Sequence, residues 1–436
     1  MKRTIYHGRV VNTSTQHKLE ILENVSIGVN EEGLIVWLSS GTNAIEAGRR
    51  KGWPDATIVQ SEGKTFFFPG FIDTHIHASQ YPNTGIFGES TLLDWLNNYI
   101  YPLEASLADQ TRARAVYEKC VDRTLKYGTT TAAYFGTCDV NSTNICADVC
   151  LARGQRAFVG RCCMNAQSPE YYCDRSDIDA LHKTFQTIRH IKAIDPKYSL
   201  VTPIITPRFA PSCTKSLLKE LALLAKKENL PVQTHINENL AEVQWVKELF
   251  PDSRSYADVY DQAGLLTPRT VLAHAVHCTS EEVALMAERG VGVSHCPCSN
   301  SALRSGDAHV HALLDAGINV GLGTDISGGY SASILEVARQ AAFASRRVKR
   351  SLSVAQLLYL ATHGGAKVLH IADKTGTIEI GKFWDACLVD LEVLDSPVDF
   401  FPWQDNILEL IDKWFYCGDD RNIVNVWSKG HQLKGR

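Results

Sequence analysis

The sequence predicts a (β/α)8 barrel, TIM-like, joined to a small β-sandwich domain built from the two ends of the chain. Three observations predict it. Eight short apolar segments recur between Phe71 and Asp325 with helical patterns in most of the gaps, and this stretch of about 255 residues has the usual length of such a barrel. The first, fifth, sixth and eighth segments carry an imidazole or a carboxylate toward their C-terminal ends, where barrels keep their chemistry. The flanking segments have β-like pieces separated by glycine and polar turns, without a helical period.

The N-terminal segment, 1–68, holds Val25-Ser-Ile-Gly-Val29 and Leu34-Ile-Val-Trp-Leu38. The tail, 376–436, holds Asp385-Ala-Cys-Leu-Val-Asp390 and Ile423-Val-Asn-Val-Trp-Ser428. Neither end has enough strands for a stable sheet of its own, so the two are expected to pair.

Within the barrel segment, 69–375, the strands read FIDTHIH from 71, TTTAAYF from 129, RAFVGRC from 156, VTPIITPRF from 201, VQTHINE from 232, VLAHAVH from 271, VGVSHCP from 291 and NVGLGTD from 319. SLLKELALLAKKEN from 216 and SEEVALMAERG from 280 are helical, the second starting at Ser280 and stopping at Gly290. A doubly wound open sheet is the competing architecture, but it needs a glycine-rich nucleotide turn. The nearest match, Gly321-Leu-Gly323-Thr-Asp-Ile326, lacks the third glycine.

The chain has 436 residues, 44% hydrophobic and 21% charged, the balance of a globular protein with ample core. A formal net charge of -4 without a clustered basic stripe argues against nucleic acid as a partner. The run Arg346-Arg347-Val348-Lys349-Arg350 reads as an exposed helix end. No apolar stretch approaches the roughly 18 residues of a membrane span, and the N-terminus lacks the apolar region of a signal peptide. The 13 scattered cysteines are therefore expected to be reduced and mostly core-filling, in a cytoplasmic protein.

The strand ends carry the chemistry. His75 and His77 end the first strand, and side chains two apart point to one face. His235 lies on the fifth strand, His274 on the sixth, and Asp325 ends the eighth. One such imidazole alone would be an ordinary polar fringe; four with a carboxylate at the mouth of one barrel point to a metal ion. Nitrogen and carboxylate ligands suit zinc, and also iron or another divalent ion. Such an ion lowers the pKa of bound water from 15.7 toward about 7. Glu238, three residues beyond His235, is placed to move the water's proton to a substrate nitrogen. His295-Cys296-Pro297-Cys298 invites a thiolate site, but it has Cys-x-Cys and no second pair, so Cys296 and Cys298 are expected to pack at the end of the seventh strand.

PGFIDTHIH, the strand-five His with its Glu, His274 and the Gly-Thr-Asp at 323–325 resemble the amidohydrolase superfamily. Longer matches resemble the guanine deaminase family within it: DTHIHASQY at 73–81, GTTTA at 128–132, GQRAFVG at 154–160, TPRF at 206–209, HCPCSN at 295–300, GLGTDISGGYS at 321–331, DSPVDF at 395–400 and GDDRNI at 418–423. They extend from the first strand to the tail.

The resemblance implies hydrolysis of guanine to xanthine and ammonia, with one zinc ion per subunit. It implies His75, His77, His235 and Asp325 as ligands, Glu238 as proton shuttle, and Asp325 helping to protonate the departing amine. His274 would orient or electrostatically support the attacking hydroxide. Gln80, Arg208 and Phe209 would hold the purine, with His235 and Glu238 also facing it. A homodimer is implied as well. Where the family pattern is HCPNSN, this chain has Cys298, so no role of that amide is carried over. Another aminopurine, a pterin or an aminotriazine remains an alternative substrate, and a non-catalytic barrel scaffold the rival of another class. A binuclear hydrolase would need a lysine in VTPIITPRF, which has none.

Overall fold

The computed structural model describes residues 2–87 and 91–435. At its centre are eight parallel strands: Phe71–His77 (β1), Thr129–Phe135 (β2), Arg156–Gly160 (β3), Val201–Pro203 (β4), Val232–Ile236 (β5), Thr270–His274 (β6), Gly292–His295 (β7) and Asn319–Leu322 (β8). Their spatial order is β4-β3-β2-β1-β8-β7-β6-β5, with every neighbouring pair parallel. The circle closes just past β4. There Ile205 bridges Val232, donating its N–H to the Pro231 carbonyl and accepting from Gln233 N–H, both at 2.9 Å. The expected (β/α)8 barrel is thus formed.

VTPIITPRF does not run as one strand. It splits at Ile204–Ile205 into β4 and the two-residue Thr206–Pro207, as Ile204 N–H still donates to Val159 on β3 while Ile205 N–H turns to Pro231 beside β5. The helix from SEEVALMAERG covers Ser280–Arg289 and stops at Gly290 in left-handed conformation. It begins at Ser280 as expected, capped by the preceding Thr279: the Thr279 and Glu282 side chains each accept from the other's backbone N–H. Helix Ile334–Arg347 ends at the basic run, where Arg347 pairs with Asp307 and Arg350 with Asp315 on the surface.

The two chain ends meet in one sheet. Thr65–Pro69 pairs antiparallel with Ala386–Asp390 on one side and in parallel with Thr4–Asn12 on the other. Glu20–Val29, Ile35–Ser40, Thr57–Gln60, Ile423–Ser428 and His431–Lys434 complete eight strands. Val25 and Ile35, toward one edge, share a core with Val424 and Trp427, toward the other. The continuous sheet therefore wraps around its own apolar interior, in which Tyr6 stacks on Trp384 at 4.1 Å. Thr65–Pro69 leads into β1 through Gly70, where a Cβ would lie 2.2 Å from Thr130 Oγ1, so only glycine fits this approach. A buried ion pair, Arg156 Nη2 to Asp385 Oδ2 at 3.1 Å, ties β3 to the small sheet.

All thirteen cysteines are unpaired and most are buried. Among the described residues, no helix is long and apolar enough to cross a membrane.

Candidate active site

β1 is buried along its whole length, and its last turn of sequence delivers His75 and His77 to the barrel mouth with ring centroids 4.9 Å apart. Asp325 lies three residues past β8. Its N–H donates to the His75 carbonyl at 2.9 Å, and His77 N–H donates to the Ile326 carbonyl at 3.1 Å, zipping the two elements together. Asp73 sits beneath, accepting from His75 N–H (3.2 Å), Thr324 N–H (3.1 Å) and Thr324 Oγ1 (2.5 Å). His274 and Asp325 both have left-handed backbone, φ 76° and 47°, a conformation that persists only where its surroundings over-determine it.

The imidazoles converge. His77 Nε2 lies 3.1 Å from His235 Nε2. Asp325 Oδ1 is 3.1 Å from His75 Nε2 and 3.5 Å from His77 Nε2, while Oδ2 faces His274 Nε2 at 3.7 Å. Ligand-type atoms of His75, His235, His274 and Asp325 all lie within 4.8 Å of one another. This tightest quartet includes His274 as well as three of the four ligands expected from the sequence; His77 joins through His235 and Asp325.

Electrostatics prepare the same group for a cation. Burial lowers the pKa of His75, His77 and His235, and the neighbouring rings push the same way for His77 and His235. His235 Nδ1 donates to the Arg208 carbonyl at 2.5 Å, so its Nε2 lone pair faces the cluster. Burial disfavours an ionised Asp325, but His75 Nε2 at 3.1 Å and the imidazoles of His274 and His77 outweigh it and hold the carboxyl far below its usual range. Burial also disfavours a cationic His274, yet Glu238 and Asp325 raise its pKa. His75 Nε2 and His274 Nε2 are buried without a hydrogen-bond partner among the described residues. Inward lone pairs, a carboxylate and unpartnered buried nitrogens fit a divalent ion.

Glu238 stands beside this group, its Oε2 3.5 Å from His274 Nε2. Glu242, in the first turn of helix Leu240–Leu249, accepts Glu238 N–H at 2.9 Å, and Ser305 Oγ donates to Glu238 Oε1 at 3.2 Å. Burial pushes the Glu238 carboxyl up to about 7. The cavity above, about 430 Å³ with its mouth, brings together His77, Gln80, Arg208, Phe209, His235, Glu238, His274 and Asp325. His75 lies beneath it. Leu92, Trp95, Leu96 and Leu303 form apolar walls.

Three contributors have roles that the motifs do not announce. Phe135, the last residue of β2, packs against His75, His77 and His235 at centroid distances of 4.8, 4.6 and 5.0 Å; its signal is only its place at a strand end. Asn300 Oδ1 accepts from His274 Nδ1 at 2.9 Å, directing Nε2 toward Glu238 and Asp325. The amide that supports His274 is therefore retained in HCPCSN, and the buried Cys298 leaves it untouched. Glu104, in the helical turn Tyr101–Ser106, is buried against Gln80 and Arg208. No spacing rule marks it.

A parallel barrel whose mouth gathers imidazoles, one carboxylate and an adjacent buried glutamate has the make-up of a metal-dependent hydrolase. The chain belongs to the amidohydrolase family, whose model matches residues 66–433, and within it to the guanine deaminases. It is 48% identical to the probable guanine deaminase of Schizosaccharomyces pombe, over 99% of this chain and 83% of that protein. It is 39% identical to the guanine deaminase of Rattus norvegicus, over 98% and 96%. The structure of guanine deaminase from C. acetobutylicum, solved with guanine in its active site, superposes with a TM-score of 0.90 at 34% identity, covering 99% of this chain and all of that one.

Proposed function

We propose that this protein hydrolyses guanine to xanthine and ammonia, using one zinc ion per subunit, as a cytoplasmic homodimer. The observation that carries the reading is the meeting of Gln80 and Arg208 with Glu238 and the imidazole cluster in one cavity. His75, His77, His235 and Asp325 would hold the ion, since Asp325 Oδ1 faces the two strand-one imidazoles while Oδ2 turns to His274. When bound, the ion supplies a Lewis acid that brings water's pKa toward about 7.

The remaining work belongs to the chain. Arg208 and Gln80 offer fixed hydrogen-bond donors to the guanine acceptors O6, N7 and N3, and Phe209 gives an apolar contact to the ring. Glu238 takes a proton from water and delivers it to ring N3. A carboxyl near 7 suits both halves of that transfer at neutral pH. His274, held by Asn300, supports the developing negative charge, and Asp325 helps to pass the second proton to the amine that leaves from C2. The apolar walls of Leu92, Trp95 and Leu96 restrict water at the reacting carbon.

The test is incubation of the purified, metal-analysed protein with guanine, adenine, a pterin and an aminotriazine, following xanthine and ammonia. Xanthine formed from guanine in preference to turnover of the others supports the reading. Turnover of another substrate alone, or of none at full metal content, refutes it.

A further inference from the structure

Glu104 carries neither a place in the metal cluster nor a wall of the cavity, yet its carboxylate is the most fully engaged group beside the site. It is 0% exposed. Oε1 accepts from Ser79 Oγ at 3.2 Å and from Gln80 Nε2 at 2.9 Å. Oε2 accepts from Tyr172 OH at 2.8 Å and from Arg208 Nη1 at 2.6 Å. Tyr172 OH itself accepts Cys138 N–H at 3.0 Å, which commits its proton to Glu104. Every acceptor direction of the carboxylate is thus used.

Two consequences follow for the groups that line the cavity. Gln80 is locked in one amide orientation, its nitrogen on Glu104 and its oxygen accepting Ser327 N–H at 3.2 Å. One N–H and one oxygen lone pair of Gln80 remain for a ligand. Arg208, 2% exposed and covered by the Tyr101 ring at 5.2 Å, has Glu104 as its ion-pair partner among the described residues, and its other N–H groups remain for the cavity. A guanidinium this deeply buried is costly unless paired. Paired, it offers hydrogen bonds without net charge; unpaired, it would draw an anion.

We propose that Glu104 is a positioning and specificity residue: by neutralising Arg208 and aligning Gln80, it tunes the cavity to a neutral aminopurine and against an anionic dioxopurine. The inference rests on the guanine reading above and deepens it. Guanine binds as a neutral molecule, whereas xanthine, with a second carbonyl flanking its ring N–H groups, loses a proton more readily. Compensation of Arg208 therefore lets the product leave.

The test uses the metal-loaded protein at a mildly alkaline pH at which xanthine is largely ionised. The readouts are KM and kcat for guanine, the inhibition constant of xanthine, and xanthine affinity by calorimetry. In Glu104→Gln, KM for guanine rises more than kcat falls, and the ratio of xanthine inhibition constant to guanine KM drops by about tenfold or more, the effect of one uncompensated charge in a partly screened site. Glu104→Gln combined with Arg208→Gln, which removes both charges, returns xanthine affinity to the parent level or weaker. Should Glu104→Gln not fold, Glu104→Asp decides: it keeps the charge but shortens the reach, so guanine KM rises while xanthine binds no more tightly than to the parent. An unchanged ratio in Glu104→Gln, tighter xanthine binding persisting in the double variant, or tighter xanthine binding in Glu104→Asp overturns the proposal. A parent that leaves guanine unchanged refutes the activity reading instead.

Discussion

Replacing Glu238 by glutamine removes a proton carrier while leaving the side chain's shape intact. Its backbone N–H is held by Glu242 at 2.9 Å, and the oxygen that accepts from Ser305 Oγ at 3.2 Å has an equivalent in the amide. The change is therefore chemical rather than positional. A side chain that moves a proton in the transition state contributes about 10² to 10⁴ in rate, so kcat is expected to fall by that factor, roughly 2.7 to 5.4 kcal/mol of barrier. Guanine KM changes little, because Arg208 and Gln80 are untouched. Metal content stays at the parent level, since Glu238 is outside the quartet whose ligand atoms lie within 4.8 Å of one another. Spectrophotometric xanthine formation beside metal analysis of the same preparation measures both. Full metal content with parent-like turnover refutes the shuttle; a loss of metal instead shows that Glu238 helps to hold the ion.

The other predictions concern the supports of the site and of the fold. Asn300→Ala leaves buried His274 Nδ1 without its 2.9 Å partner; a lost buried hydrogen bond costs about 1–3 kcal/mol, so kcat should fall roughly tenfold with metal retained, as steady-state kinetics would read. Asp385→Ala strips Arg156 of its buried counter-ion and lowers stability by about 3–5 kcal/mol in denaturant titrations, with turnover per folded molecule preserved. His295 is buried with neither ring nitrogen partnered among the described residues, and burial lowers its pKa to about 4. The unfolded chain, with a histidine near 6.5, binds the extra proton first. Stability from this group is therefore complete above about pH 6.5 and is lost as pH falls toward 4, by about 2 kcal/mol between pH 7 and 5. His295→Leu should flatten that part of a stability-against-pH curve.

Much of this was legible because its physics is local. Alternating strands and helices announce the barrel, and period-two geometry puts His75 and His77 on one face. The β6 and β8 ends, with His274 and Asp325, follow from the barrel rule alone. What the sequence hides depends on contacts between distant segments. Glu104 lies in an unremarkable Leu-Glu-Ala turn, and its meaning appears only when Arg208, 104 positions away, folds onto it at 2.6 Å. Cys298 looked like a gap in the HCPNSN pattern, yet His274 leans on Asn300 two residues later. The break of VTPIITPRF at Ile204–Ile205 was hidden in a continuous apolar run, because it depends on which neighbouring strand each N–H meets.

Whether guanine hydrolysis depends on one metal ion at the barrel mouth is read by a metal titration. The protein is stripped with a chelator, verified as folded by circular dichroism, and reloaded stepwise with zinc while xanthine formation from guanine is followed. No turnover is expected in the stripped protein, with a linear return that levels off at one ion per chain. Undiminished xanthine formation without metal, or a fully loaded protein that leaves guanine unchanged, would contradict this expectation.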